Sequence, residues 1–270
     1  MLTNFWMAAP IAAACYSLAF VLRLNHFMRA RTDSSSSKTI LGAILTIALI
    51  AHAITSWQLL TTESRLNLSL IPLSVLIFLI INVIVVLSAI KSPLENLYLL
   101  LSPPTIVMLI LSQFITQDTS QLSTLAPGIG VHILLSILSY SLMTIAALQA
   151  LLLAWQNRQL HLHHPGGRLK TLPPLQTMEQ LLFRLLATGF ILLSAGLVSG
   201  VLYIDDFFAQ HLAHKTVFSL IAWVVYAVLL WGHYQAGWRG KIAIYWTLGG
   251  FAALMLAFWG TKFVFEVLLS

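Results

Sequence analysis

Charged residues are what this sequence has least of. Only 8% of its 270 residues are charged, whereas 59% are apolar. A soluble domain carries roughly a quarter charged residues, so the composition excludes a water-soluble globule. The formal net charge is +6, but no stretch combines clustered basic residues with interleaved aromatics on a polar surface. We therefore expect no nucleic-acid partner.

Cysteine and membrane-embedded carboxylates are scarce as well. The single Cys15 cannot form an intramolecular disulfide or a dithiol redox pair. No carboxylate lies well inside an apolar run, because Glu95, Glu179 and Glu266 all fall near the ends of runs. Proton-coupled transporters normally carry a buried acid or base relay. A small-molecule or ion permease is therefore only a third hypothesis.

Long apolar runs are what the sequence has instead. A helix needs about 20 apolar residues to cross a bilayer. Eight runs approach this length, at about 5–24, 39–60, 67–90, 94–112, 130–155, 180–203, 216–232 and 243–268. The sequence thus predicts an all-α integral membrane protein, a single-domain bundle of about eight transmembrane helices over 1–270. Pro72 and the Pro103–Pro104 pair predict kinks or a broken helix.

Basic residues fall mainly on one side of these spans. With eight spans, the first, third, fifth and seventh loops and their flanks hold eleven of the fourteen lysines and arginines. The eleven are Arg23, Arg29, Arg31, Lys38, Lys91, Arg158, Arg168, Lys170, Arg184, Arg239 and Lys241. Cytoplasmic loops are enriched in such residues. We therefore expect both termini on the periplasmic side.

Two histidines within the spans are the first candidates for chemistry, because ionisable residues are costly in a membrane. His52 lies about 20 Å from the predicted cytoplasmic boundary at 1.5 Å per residue, and His132 opens the fifth span from the outer side. The two imidazoles are predicted at comparable depth. Neutral imidazole binds iron, copper and zinc, so a bis-histidine site is geometrically possible.

A polar stripe continues from His132 at helical spacing through Ser136, Ser139 and Met143. This stripe is expected to face protein, either as a ligand site or as ordinary interhelical polar contacts. Trp223 and Tyr226 lie deep in the seventh span, three residues apart. They suit the wall of a planar aromatic ligand, although packing alone would give the same pattern.

Further histidines lie in predicted loops. His161, His163 and His164 precede Pro165 on a predicted cytoplasmic loop. Their composition resembles a metal-binding tract, but a solvated loop is the simpler interpretation.

Several segments resemble one known family. They are the run from Gly130 to Tyr140 around His132, the C-terminal stretch from His214 to Trp259 with Trp223, Tyr226 and Gly237–Gly240, the run Leu172–Glu179, and Ala51–Ala53. Together they resemble the cytochrome c assembly membrane protein family in its HemX-type branch, over nearly the whole chain. The resemblance implies a bacterial inner-membrane protein in which His132 is linked to haem.

The leading hypothesis is a membrane haem-handling protein of cytochrome c biogenesis rather than an enzyme. It would bind haem b between His52 and His132 as axial ligands, beside Trp223 and Tyr226. Its partners would be the lipid bilayer, haem and a cytochrome c maturation or haem-biosynthesis protein. The alternative is a non-haem regulatory or scaffold protein that acts on haem biosynthesis through the 158–179 loop and the Gly237–Gly240 turn.

Overall fold

The fold is described by a computed structural model for residues 7–29, 35–62, 65–89, 95–114, 122–123, 128–161, 172–203 and 210–260. Within these ranges it forms eight α-helices. They are α1 Ala8–Met28, α2 Ser35–Leu60, α3 Leu70–Ala89, α4 Tyr98–Phe114, α5 Ile129–His161, α6 Leu175–Tyr203, α7 Gln210–Ala236 and α8 Lys241–Met255. The predicted all-α membrane bundle is confirmed, since seven of the helices are long and apolar enough to cross a membrane. The placement of the termini stays a prediction.

The fourth helix is shorter than the seven helices that could span a membrane, as its sequence suggested. It has 17 residues and contains Pro103 and Pro104, yet it is continuous from Tyr98 to Phe114. A short 3-10 turn, Glu95–Leu97, leads into it. Thr105 donates its hydroxyl to the Leu101 carbonyl (2.9 Å), an internal bond of the kind that serine and threonine make in membrane helices. The prolines therefore do not break the helix.

Pro72 also leaves its helix unbroken. It lies in the first turn of α3, where a backbone N–H would lack an intrahelical partner in any case. The eighth helix continues beyond Met255 as a π-helical turn, Leu256–Gly260. The remainder of the predicted last span, 261–268, lies outside the described residues.

Three short strands were not predicted. They are β1 Thr61–Thr62, β2 Arg65–Asn67 and β3 Leu122–Ser123, paired antiparallel in the order β1-β2-β3. Leu66 pairs with Thr61 on one side and with Ser123 on the other. Strands of two or three residues have no detectable periodicity in a sequence. The pairing joins the connection between α2 and α3 to the connection between α4 and α5.

The chain divides into two compact units, each with its own four helices. The first unit comprises Met1–Thr124 with Gln159–Pro173, and the second comprises Leu125–Arg158 with Pro174–Ser270. In the first unit, α1 packs against α2 and α4, and α3 packs against the same two helices. The predicted single domain over 1–270 stays a prediction.

The second unit is built from α5, α6, α7 and α8 around one apolar core. This core includes Met143, Leu182, Tyr226 and Leu254, one buried side chain from each helix. Tyr226 packs directly against Gly250 of α8, where an added Cβ would lie 2.7 Å from the phenol ring. A glycine at this position is what allows α7 and α8 to approach so closely.

Candidate functional site

His132 lies near the start of α5 and is half-buried. Its Nδ1 is 2.9 Å from the carbonyl oxygen of Gly196 and 3.2 Å from the Ser199 hydroxyl, both on α6. Because a carbonyl can only accept, Nδ1 carries the proton and Nε2 carries the lone pair in the neutral ring. No other described residue forms a hydrogen bond with Nε2. His132 is thus a fixed imidazole with one nitrogen available.

The polar stripe on α5 lies against glycines of α6. The Ser139 hydroxyl donates to the carbonyl of Gly189 (3.1 Å). Met143 also lies at Gly189, and the Ser136 hydroxyl lies at Gly196, where an added Cβ would be 3.6 Å from it. The prediction that this stripe faces protein is confirmed, and the glycines of α6 allow the close contact with α5.

His52 of α2 is buried, with no exposed surface. Its Nε2 lies 3.1 Å from the carbonyl oxygen of Val75 on α3, so Nε2 carries the proton and donates. Its Nδ1 then accepts from the hydroxyl of Tyr16 on α1, at 3.2 Å. The Tyr16 ring meets the imidazole edge-on, with ring centroids 5.7 Å apart. His52 therefore links three helices of the first unit.

These two bonds account for both ring nitrogens of His52. Iron ligation by His52 would require one of them to break. His52 belongs to the first unit and His132 to the second, so their predicted meeting at one iron stays a prediction.

The two aromatic residues predicted as cofactor walls have different surroundings. Trp223 is half-buried, donates its indole N–H to the Ser194 hydroxyl (2.8 Å) and stacks on Phe190 with centroids 5.5 Å apart. Tyr226 is fully buried and donates to the carbonyl of Thr247 (3.4 Å). Packing accounts for Tyr226, whereas the cofactor role of both residues stays a prediction.

The other histidine candidates fall where side chains are not described. His163 and His164 lie outside the described residues, whereas His161 is the last residue of α5 rather than part of a loop, with its side chain not described. Among the residues that are described, no group of three or more histidine, cysteine or acidic side chains could hold a metal ion. Haem needs fewer protein ligands than such a site, because the porphyrin supplies the remaining ones.

The turn between α7 and α8 is held by glycine backbone conformations and by hydrogen bonds to neighbouring helices. Gly237 and Gly240 have positive φ angles of 66° and 56°, a conformation that favours glycine. Trp238 lies over Gly232, and its carbonyl accepts from Nδ1 of His233 at 2.9 Å. The Gly240 N–H donates to the Glu179 carboxylate of α6 at 2.8 Å. In the sequence, this turn could be recognised only from the two glycines that flank Trp238 and Arg239.

The apolar helices define a multi-pass membrane protein, and in its helix α5 the oriented His132 has an available imidazole nitrogen. The chain belongs to the cytochrome c assembly protein family, because the model of that family matches residues 40–269. This match covers most of both units and includes His52, His132, Trp223 and Tyr226.

Curated relatives agree with this family. The inner membrane protein YpjD of Escherichia coli (strain K12) is 32% identical over 262 residues, covering 96% of this chain and 98% of the relative. An uncharacterised 28.8 kDa protein of Azospirillum brasilense is 37% identical over 54% of this chain and 55% of its own length. The cytochrome c biogenesis protein CcsA of Prochlorococcus marinus (strain NATL1A) is 26% identical over 40% of this chain and 36% of its own length. No solved structure matches the chain.

Proposed function

We propose that this chain is an inner-membrane haem-binding protein of cytochrome c biogenesis, with Nε2 of His132 as an iron ligand. The family assignment supports the haem-handling role, as does the likeness to an inner membrane protein and to cytochrome c biogenesis proteins. The proposed role is binding and delivery of haem rather than catalysis by the protein itself.

The observation that carries the proposal is the hydrogen bond from Nδ1 of His132 to Gly196. A histidine that ligates a metal almost always donates its other ring N–H to a carbonyl, carboxylate or water, which fixes the tautomer and the ring orientation. His132 has this arrangement, with the Gly196 carbonyl at 2.9 Å and the Ser199 hydroxyl beside it. The residues present at this end of α5 therefore suit an iron ligand.

The further residues that would hold the haem are His52, as a second histidine ligand, and Trp223 and Tyr226, as its aromatic neighbours. The cofactor we propose is haem b, which would supply the redox chemistry while the protein supplies ligands and a low-dielectric surround. His52 would have to release Tyr16 or Val75 in order to bind iron.

The test is an optical spectrum with pyridine haemochrome quantitation on protein purified in mild detergent from haem-replete cells. We expect near-stoichiometric b-type haem in the wild type and its loss in His132→Ala, with the amount of protein in the membrane unchanged. Ser141→Ala is the matched control, because Ser141 is buried in the same helix but bonds only within it, to Ile137. Unchanged haem absorbance in His132→Ala contradicts the ligand assignment.

His52→Ala separates the second ligand from the first. Loss of haem in this variant at a wild-type melting temperature supports ligation by both histidines. Retained haem at a lower melting temperature assigns His52 to structure alone. Complete absence of haem from the wild-type protein favours the regulatory scaffold, and the search would then turn to a partner of the 158–179 loop and the Gly237–Gly240 turn.

A further inference from the structure

The second unit carries an open cavity of about 340 Å³ between α6 and α7, separate from the proposed haem ligands. It is lined by Gln180, Phe183, Arg184, Ala187, Thr188, His233 and Tyr234. Its volume falls in the range of small-molecule sites. Five of these side chains carry polar groups, and the other two, Phe183 and Ala187, are apolar.

The predicted spans place the cavity at the depth of a membrane interface. His233 is three residues, about 4.5 Å of helix rise, before the end of α7. Arg184 is four residues, about 6 Å, inside the predicted sixth span. The lysine and arginine distribution predicts that this end faces the cytoplasm. We therefore expect lipid headgroups level with the cavity.

The charge at the cavity suits an anion. Arg184 is exposed, and its guanidinium forms no ion pair with any residue whose side chain the structure describes. Guanidinium groups bind phosphate through paired N–H donors. The lining contains no carboxylate, so nothing within the cavity competes with an anion for Arg184.

His233 is held in place beside Arg184. Its ring stacks on Phe183, with centroids 3.4 Å apart and planes 13° from parallel. Its Nδ1–H donates to the Trp238 carbonyl, which leaves Nε2 without a partner among the described side chains. With Nδ1 protonated, Nε2 is an acceptor that is fixed in orientation before any ligand arrives.

The surface next to the cavity is apolar toward the membrane interior. Ile191 and Val198 continue the exposed face of α6, at 67% and 58% exposure. Trp231 and Tyr234 of α7 are 66% and 70% exposed, as aromatic residues at a membrane interface are. The polar cavity therefore suits a lipid headgroup, and the exposed apolar face of α6 next to it suits the acyl chain.

We propose that this cavity binds the phosphate of an anionic phospholipid, with Arg184 as its donor, Nε2 of His233 as an acceptor for a headgroup hydroxyl and the acyl chain along Ile191. The proposal is independent of the haem site, because it uses neither His52 nor His132. In this proposal the phospholipid is a specific ligand of the second unit, in addition to the bulk lipid that surrounds the helices.

The test uses the full chain in mild detergent, stripped of lipid by detergent exchange. The protein is incubated with dioleoylphosphatidylglycerol or dioleoylphosphatidylcholine, and bound lipid per protein is counted by native mass spectrometry. We expect phosphatidylglycerol to be retained over phosphatidylcholine. Arg184→Gln is expected to lower its affinity about fivefold, since one basic residue near anionic lipid contributes about 1 kcal/mol.

Three variants sharpen the test. Arg239→Gln is the matched control, because Arg239 is also exposed at this end of the unit but does not line the cavity. Arg184→Lys keeps the charge and should retain part of the affinity. His233→Gln should weaken binding, and it should also lower the melting temperature because the ring that stacks on Phe183 is lost.

Four outcomes overturn the proposal. Equal retention of the two lipids removes the selection for an anion. An equal loss in Arg239→Gln points to diffuse surface charge. Unchanged binding in both Arg184→Gln and His233→Gln shows that neither side chain contacts the headgroup. Complete displacement of phosphatidylglycerol by an excess of inorganic phosphate shows that free phosphate, rather than a lipid, is the ligand.

Discussion

The Nδ1 of His132 and the carbonyl oxygen of Gly196 lie 2.9 Å apart, across the contact between α5 and α6. This bond is possible because α6 has glycine at position 196, which brings its backbone close to the side chains of α5. It determines which nitrogen of the ring is protonated. The chemistry available to His132 therefore depends on the backbone of a neighbouring helix.

Ser199 provides a graded test of this arrangement. Its hydroxyl donates to Gly196 (2.8 Å) and lies 3.2 Å from the imidazole. Ser199→Ala removes one of the two groups that orient the ring, and we expect haem affinity to fall about tenfold, the lower end for such partners. Absorbance titration of the purified protein with haem measures this, with Ser141→Ala as control. An unchanged affinity would mean that the carbonyl alone fixes the ring.

Two adjacent glycines in α8 are expected to differ in their tolerance of alanine. A Cβ at Gly250 would lie 2.7 Å from the buried Tyr226 ring, whereas a Cβ at Gly249 would meet nothing within 4 Å. We expect Gly250→Ala to destabilise the protein by about 1–3 kcal/mol through overpacking. Gly249→Ala should be neutral or stabilising by up to about 1 kcal/mol because alanine favours helix. Thermal unfolding in detergent compares the two, and equal melting temperatures would refute the predicted contact.

Two buried tyrosines of the first unit form a second matched pair. The Tyr16 hydroxyl donates to His52, whereas the Tyr98 hydroxyl is buried without a hydrogen bond among the described residues. Tyr16→Phe leaves Nδ1 of His52 unsatisfied, which we expect to cost about 1–3 kcal/mol. Tyr98→Phe removes a hydroxyl that gains nothing from burial, so it should be neutral or stabilising. A larger loss of stability in Tyr98→Phe than in Tyr16→Phe would contradict this assignment.

Glu179 is expected to stabilise the start of α8 from α6. Its carboxylate accepts the Gly240 N–H at 2.8 Å, near the positive end of the α8 dipole. Glu179→Ala should lower the free energy of unfolding by about 1–2 kcal/mol and speed hydrogen exchange at the Gly240 amide. Glu179→Gln keeps an acceptor oxygen and should preserve most of the protection. Identical exchange rates in Glu179→Ala and wild type would show that the bond contributes nothing.

The helices were predictable because the bilayer imposes a length and a composition on every span. The predicted run 67–90 differs from α3 by only a few residues at each end, and the prediction for α2 ends at the same residue as the helix. Boundaries shifted where helices extend beyond the apolar region, as at Ile129–His161. The short strands were missed because two or three residues carry no usable pattern.

The site was predicted only in part. Helical spacing was enough to place His132, Ser136 and Ser139 on one face that contacts protein, since that periodicity is local. The bond from Tyr16 to His52 joins residues 36 positions apart. No local sequence pattern around either residue predicts it. The cavity at Arg184 and His233 likewise depends on two helices whose alignment is a property of their packing.

The sequence by itself determined that this chain enters a membrane as a series of helices, because unsatisfied backbone groups are too costly in hydrocarbon for other single segments. It also placed His52 and His132 within those helices. Only the tertiary structure decided what each histidine can do, because the hydrogen-bond partner of one ring nitrogen fixes the state of the other. In His52 both nitrogens are engaged, whereas in His132 and His233 a neighbouring carbonyl leaves Nε2 available.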